Sequence, residues 1–303
     1  MTRHLNQLPA WRIAGFSALV MASGPLAHYS VSVLGPLMVA EMELSATQFG
    51  SLWLATFGTA GLLAVLCGKL TDRMGPQPVL IGAFVTAGSA VVIVATADSY
   101  RWLFVGLAVA GVSQAIVVPA TNALVAATVA AKRQGVVLGF KQSGVQLGQF
   151  FVGMVLPLVA IAIGWRWGIA SLVVIPILGV LLSCLFVPRG KGRSQTPTAP
   201  ASTMTGIVWC LAAYACVLGV VVQSTNVYLP LYANLELGFS YTEAGLVVAV
   251  LGGCGVIARL FSGSLLARVS DFRTPLFWSA LFSGTSLLVL SVTSDPDPRV
   301  GTS

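Results

Sequence analysis

MGPQPVLIGAFVTAGSAVVIVATA, residues 74–97, carries no charged side chain across 24 residues. As a helix rising 1.5 Å per residue it would run about 36 Å, longer than the ~30 Å hydrocarbon core of a bilayer. Its apolar residues do not alternate with polar ones, so it is not a strand of a membrane barrel. On either side of it, eight further uncharged runs show the same pattern: Ile13–Ala40, Gln48–Gly68, Trp102–Ala131, Gln142–Trp165, Trp167–Pro188, Ser194–Leu235, Ala244–Ala258 and Thr274–Ser294. Ser194–Leu235 is too long for one span and opens polar and Pro-rich, so its helix is expected from near Thr205. The reading is an all-α polytopic transmembrane bundle of about nine helices.

Composition agrees. The 303 residues are 56% hydrophobic and 8% charged, with a mean hydropathy of +0.90, against about 25% charged in a soluble domain. The net charge of +7 comes from the loops between spans. It gives no support for nucleic-acid binding, which needs basic residues gathered on one exposed face. With the N-terminus inside, Arg3, Arg12, Lys69, Arg73, Lys132, Arg133, Lys141, Arg189, Lys191, Arg193, Arg268 and Arg273 fall on the inner side, 12 of 16 basic residues. Arg101, Arg166 and Arg299 fall outside, with Glu41, Glu43, Asp98, Glu236, Glu243, Asp295 and Asp297. The positive-inside rule then gives a multi-pass protein of the cell (inner or plasma) membrane with a cytoplasmic N-terminus. Trp165 and Trp167 flank Arg166 as an interfacial aromatic belt would. The first run is too long for a cleavable signal. Cys67, Cys184, Cys210, Cys216 and Cys254 form no metal-ligand spacing and read as small packing residues. No cofactor or metal site is read.

A shift of 195 residues returns part of the chain on itself. Ser45-Ala46-Thr47-Gln48-Phe49-Gly50 meets Ser240-Tyr241-Thr242-Glu243-Ala244-Gly245, and Gly58, Gly68, Leu70 and Arg73 meet Gly253, Gly263, Leu265 and Arg268. Ser45 with Gln48, and Ser240 with Glu243, have the spacing of capping boxes. The repeat implies two related halves. Residues 1–188 hold six spans, 189–203 form a basic, then Pro/Ser/Thr-rich cytoplasmic linker, and 204–303 hold three spans. Doubled membrane folds are common among secondary transporters, with the solute site between the repeats.

Gly68-Lys69-Leu70-Thr71-Asp72-Arg73-Met74-Gly75 resembles the signature loop of the major facilitator superfamily, G-x-L-x-D-R-x-G-R-R/K, matching at Gly68, Leu70, Asp72, Arg73 and Gly75 and departing at Pro76 and Gln77. A degenerate copy, Gly263–Arg268, lies between spans eight and nine. Gly139–Gly148 is similar to a fifth-span segment of bacterial members. The resemblance implies a carrier of a small solute working by alternating access, with spans one, four and seven lining the path. Drug–proton antiporters of the family carry an Arg where alignment on Gly111 puts Ala108, and a Gly-Pro pattern that Gly144–Gly153 lacks; that reading is weakened. The family has twelve helices, so this chain is expected to be a truncated product, a fragment or part of an assembly, transporting poorly or not at all alone.

Polar residues inside apolar runs mark the candidate path, since such groups are costly in hydrocarbon unless they face protein or water. They are His28 and Tyr29 in span one, and Gln114 and Asn122 in span four. Span five adds Lys141, Gln142 and Gln146, and span seven Gln223, Asn226 and Tyr228. Each has a plainer role available as an interhelical hydrogen bond, and Lys141 could snorkel to the interface. Gln142, Gln146 and Gln149 share a helical face. No Asp or Glu lies well inside a span, so any charge in the cavity is positive. This points to an anionic or neutral polar solute, moved by facilitated diffusion, exchange or a histidine-assisted proton step. No H-E-x-x-H, G-x-S-x-G or P-loop occurs and histidine is limited to His4 and His28, so the chain does not read as an enzyme. The rival class is a non-transporting membrane scaffold or sensor. Oligomeric state is not readable.

Overall fold

The structure, a computed structural model, describes residues 9–187, 206–266, and 277, 278, 281, 282, 284 and 285. The linker 189–203, most of the ninth run, and the loop cations Arg3, Arg268, Arg273 and Arg299 lie outside the described residues. The chain divides into two units, Met1–Arg259 and Leu260–Ser303. In the second, helical backbone continues to Leu266, and the Trp278 ring meets Phe277 edge-on and Phe282 at a tilt, at 5.9 and 6.1 Å between ring centroids. The packing and the candidate site belong to the first unit.

All described secondary structure is helical. The first run is not one helix but three: α1 (Ala10–Ser23), α2 (Leu26–Val33) and α3 (Gly35–Met42). Proline explains both breaks. Pro25 and Pro36 have no N–H to give to the preceding turn, and each ring crowds the carbonyl four residues back. Continuous helices follow: α4 (Ala46–Met74), α5 (Pro76–Ala95), α6 (Tyr100–Thr128) and α7 (Ala131–Ile163). The sixth run is α8 (Trp165–Ser171) and α9 (Val174–Phe186), and α10 (Gly206–Leu235) and α11 (Tyr241–Leu266) complete the series. Among the described residues, seven helical segments are long and apolar enough to cross a membrane, α8 and α9 counted as one.

Both capping boxes form. At the start of α4, Gln48 N–H donates to Ser45 Oγ at 3.1 Å and Ser45 N–H to Gln48 Oε1 at 2.9 Å. At the start of α11, Ser240 N–H donates to Glu243 Oε2 at 2.7 Å and Glu243 N–H to Ser240 Oγ at 3.3 Å. A Ser45→Ala variant is expected to lose about 1 kcal/mol. Because the two bonds act as a unit, adding Gln48→Ala should cost less than its own single effect; thermal unfolding of the three variants checks this. The expected loop Gly68–Gly75 is corrected. Residues 68–74 are the last turns of α4, and the helix stops at Gly75, whose φ of 80° is left-handed. The copy at Gly263–Leu266 is likewise helical, while Ala267 and Arg268 lie outside the described residues.

Packing pairs α4 and α5 with α6, α1 with α7, and α5 with α9, while α10 meets α2 and α3. Two crossings depend on missing side chains. A β-carbon on Gly144 of α7 would lie 2.2 Å from Ala18 O of α1, and one on Gly153 would lie 2.6 Å from Ala249 N of α11. Backbone touches backbone there, as helix association in lipid favours. Side chains such as Phe49, Leu52, Leu103 and Leu107 fill the interior. The outside is as apolar as the inside: Leu62, Leu185 and Val136 are 75–85% exposed. Such a surface fits lipid rather than water. Cys67 packs inside, whereas Cys184, Cys210, Cys216 and Cys254 point outward, so the packing role expected for all five holds for one.

Candidate functional site

The break after α1 frees α2 to present polar residues to three neighbours. His28 is 2% exposed, with its ring against Trp53 and Phe57 of α4 at 5.8 and 5.7 Å between centroids. Neither His28 Nδ1 nor Trp53 Nε1 has a hydrogen-bond partner among the described residues. Ser32 Oγ donates to the backbone carbonyl of Asn226 on α10 at 2.6 Å. Asn226 also accepts from Gln149 Nε2 of α7 at 2.9 Å and donates to Gln223 Oε1 at 3.3 Å. This network ties α2 and α7 to α10.

Lys141 is buried, about 15 Å along α7 from Ala131 at 1.5 Å per residue. It therefore neither snorkels nor belongs among the loop cations. Its Nζ donates to Thr121 Oγ1 at 2.8 Å and to Asn122 Oδ1 at 2.5 Å, both on α6. Asn122 is exposed, so the pair reaches the protein surface through its amide. Arg259 of α11 donates to the carbonyl of Gln142 at 3.1 Å and lies within Coulombic reach of Tyr29. Gln146 packs where a Gly255 β-carbon would be, 2.5 Å from its Cγ, and the Oε1 atoms of Gln142 and Gln146 are buried without partners among the described residues. Orphaned buried acceptors are rare and mark places where a donor belongs.

The other candidates sit apart. Gln114 lies against the α1–α2 break, its Oε1 2.8 Å from where a Gly24 β-carbon would be. Tyr228 directs its hydroxyl at Gly50 across a cleft of about 720 Å³ between α4 and α10, which Gln223 and Ser224 also line. Of the signature residues, Asp72 and Arg73 are exposed on the last turn of α4, Gly68 is half-buried and Gly75 is buried. Ser32 was missed by the sequence reading. One serine among many in an apolar run carries no signal until its helix breaks and turns toward α10.

A second missed contact joins the end of α3 to the start of α8. Glu41, at the end of α3, accepts from Trp165 Nε1 at 2.5 Å and pairs with Arg166, which also donates to Ala97 O at 3.3 Å. Trp165 is thus a buried partner rather than part of an aromatic belt, while Trp167 is 70% exposed as a belt residue would be. The hydrogen bond from Arg166, then that from Trp165, holds the Glu41 carboxyl below the usual carboxylate range. A depressed acid stabilises the fold above its unfolded pKa of about 4.3 and loses that contribution as pH falls through the lower folded value. Wild type should therefore lose unfolding temperature over that acidic window, and Arg166→Gln should flatten the slope. The pair is half exposed, so the change is small.

The Major Facilitator Superfamily profile matches residues 16–301. The probable nitrate/nitrite transporter NarK2 of Mycobacterium tuberculosis is 30% identical over 292 residues, covering 89% of this chain and 70% of that protein. The nitrite extrusion protein of Bacillus subtilis is 23% identical, over 94% and 69%. The 3-(3-hydroxy-phenyl)propionate transporter of Escherichia coli is 27% identical, over 83% and 63%. Among solved structures, a bacterial homolog of the human lysosomal transporter Spinster, inward-facing and occupied, superposes with a TM-score of 0.65 at 17% identity, covering 79% of this chain and 58% of that one. The D-xylose-proton symporter gives 0.62 at 17%, over 85% and 68%. The chain thus spans roughly three-fifths to seven-tenths of the length of these proteins. With its helical bundle, apolar surface and near-complete match to the profile, the chain belongs to the Major Facilitator Superfamily.

Proposed function

We propose that the chain serves secondary transport of a small anion by alternating access, as part or all of a carrier in the cell inner membrane with its N-terminus in the cytoplasm. One observation carries the reading. Among the described residues of the spans, the buried charge is the cation Lys141, with Arg259 half-buried, whereas Glu41, Asp72 and Glu243 sit in end turns of their helices and Glu43, Asp98 and Glu236 lie between helices. Lys141, held by the Thr121 hydroxyl and the Asn122 amide with none of the described carboxylates paired to it, is poised for an anion. The relatives named for nitrate, nitrite and hydroxyphenylpropionate carry anions, which is consistent.

His28, Tyr29, Gln142, Gln146, Gln223 and Asn226 line the inferred path where α2, α7, α10 and α11 meet, with Gln114 and Tyr228 at its margins. Asp72 and Arg73, with Gly68 and Gly75, form the conformational signature that the family resemblance assigns. Sidedness rests on eleven cations assigned to the inner side against three to the outer, once Lys141 is counted as buried. The test is uptake of labelled nitrate and of 3-phenylpropionate into vesicles holding this chain alone. Saturable uptake of either supports the reading. No uptake together with no anion binding, but tight capture of a membrane partner, would favour a scaffold.

A further inference from the structure

Two apolar grooves run along the outer face of α1 and join at Gly15 and Leu19, which line both. The first, about 360 Å³, lies between the start of α1 and the end of α9, with Phe16, Leu182 and Phe186 as walls. The second, about 540 Å³, continues between α1 and α7 past Ala18, Ala22 and Leu147. Arg12 is the charged residue lining either groove, at the mouth of the first. From Arg12 to Ala22 is about 15 Å along the helix, half the ~30 Å hydrocarbon thickness and so the depth of one leaflet. Arg12 lies over the ring of Trp11, 5.2 Å from its centroid, and Trp11 is 69% exposed. An exposed Trp beside an Arg at a helix end marks the headgroup level.

The charge lining the mouth is positive. None of the described carboxylates pairs with Arg12. Residues 1–40 and 99–235 contain no Asp or Glu. We propose that this face of α1 is a binding site for an anionic phospholipid, with acyl chains in the joined grooves and the phosphate on Arg12. Apolar walls one leaflet deep fit acyl chains, and a mouth whose charged lining residue is Arg12, paired with none of the described carboxylates, favours a headgroup without its own ammonium. Gly15 supplies the junction, since a β-carbon there would meet nothing within 4 Å. The site lies on the lipid-facing side of α1 and is separate from the solute path.

The test compares the purified chain in nanodiscs of phosphatidylcholine with nanodiscs of an equimolar phosphatidylcholine–phosphatidylglycerol mixture, read by unfolding temperature and by lipid retained in native mass spectrometry. The mixture should raise the unfolding temperature, and phosphatidylglycerol should be the lipid retained. Arg12→Gln should weaken that retention about fivefold, as expected for one basic residue at the membrane surface. Gly15→Trp should abolish it by filling the junction, with unfolding in phosphatidylcholine unchanged. Arg133→Gln, an exposed cation remote from both grooves, should leave it intact. Equal retention of both lipids, equal losses for Arg12→Gln and Arg133→Gln, or a dimer that seals this face and is broken by Gly15→Trp would each overturn the proposal.

Discussion

Replacing Gly144 with valine is expected to be the most damaging single substitution in the described structure. At this crossing the nearest atoms to an added β-carbon are Ala18 O at 2.2 Å and Ala18 C and Cα at 2.7 Å. These are backbone atoms, so no side chain can swing aside; α1 and α7 must separate. Overpacking of this kind costs roughly 1–3 kcal/mol and more where backbone must move. Gly148→Ala, one turn on, meets Ala22 Cβ at 3.2 Å and should be mild. Gly61→Ala is the control, because Gly61 is exposed on α4 with nothing within 4 Å. There alanine should be neutral or stabilising by about 0.5–1 kcal/mol through helix propensity. Thermal unfolding in one detergent ranks the three. If Gly144→Val unfolded at the same temperature as Gly61→Ala, α1 and α7 would not cross as described.

Lys141→Met should separate binding from stability. Its ammonium gives two hydrogen bonds to neutral groups, and burying it is costly to the fold. With the charge gone, Thr121 still donates to Val117 O at 2.6 Å, and the exposed Asn122 amide can turn to solvent. The unfolding temperature should hold or rise. Affinity for an anionic solute should fall about ten- to hundredfold, the loss of a charge-assisted hydrogen bond worth roughly 1.5–3 kcal/mol. A lower unfolding temperature with unchanged anion affinity would make Lys141 a pin between α6 and α7 and remove it from the solute site.

Much of the fold was legible because lipid makes hydropathy decisive. Where residues are described the uncharged runs are helical apart from short breaks and ends, and both capping boxes sit where Ser45-x-x-Gln48 and Ser240-x-x-Glu243 placed them. What hydropathy could not show is where backbone bonds fail inside an apolar run. Gly24-Pro25 and Gly35-Pro36 carried that signal, yet Pro119 and Pro157 stay within α6 and α7, so proline alone does not decide. Lys141 misled for a related reason: a cation beside an uncharged run looks like a loop residue, but α7 begins ten residues earlier, at Ala131. The candidate site was half legible. Of the polar residues noticed inside spans, Gln223 and Asn226 meet. That Asn226 also joins Ser32 and Gln149 rests on contacts across 194 and 77 residues, which no local pattern encodes. The Glu41–Arg166 pair, 125 residues apart, was hidden in the same way.

If the membrane-embedded interior recognises negative charge, isosteres that differ in charge alone must be told apart. The purified chain would be titrated with 3-phenylpropionate, 3-phenylpropanamide and 3-phenylpropylamine, and with nitrate, with unfolding temperature as the readout. Saturable stabilisation by 3-phenylpropionate or nitrate is expected, reduced in Lys141→Met, with none from the amide or the amine. Stabilisation by the amine or the amide, with both anions inert, would contradict recognition of negative charge.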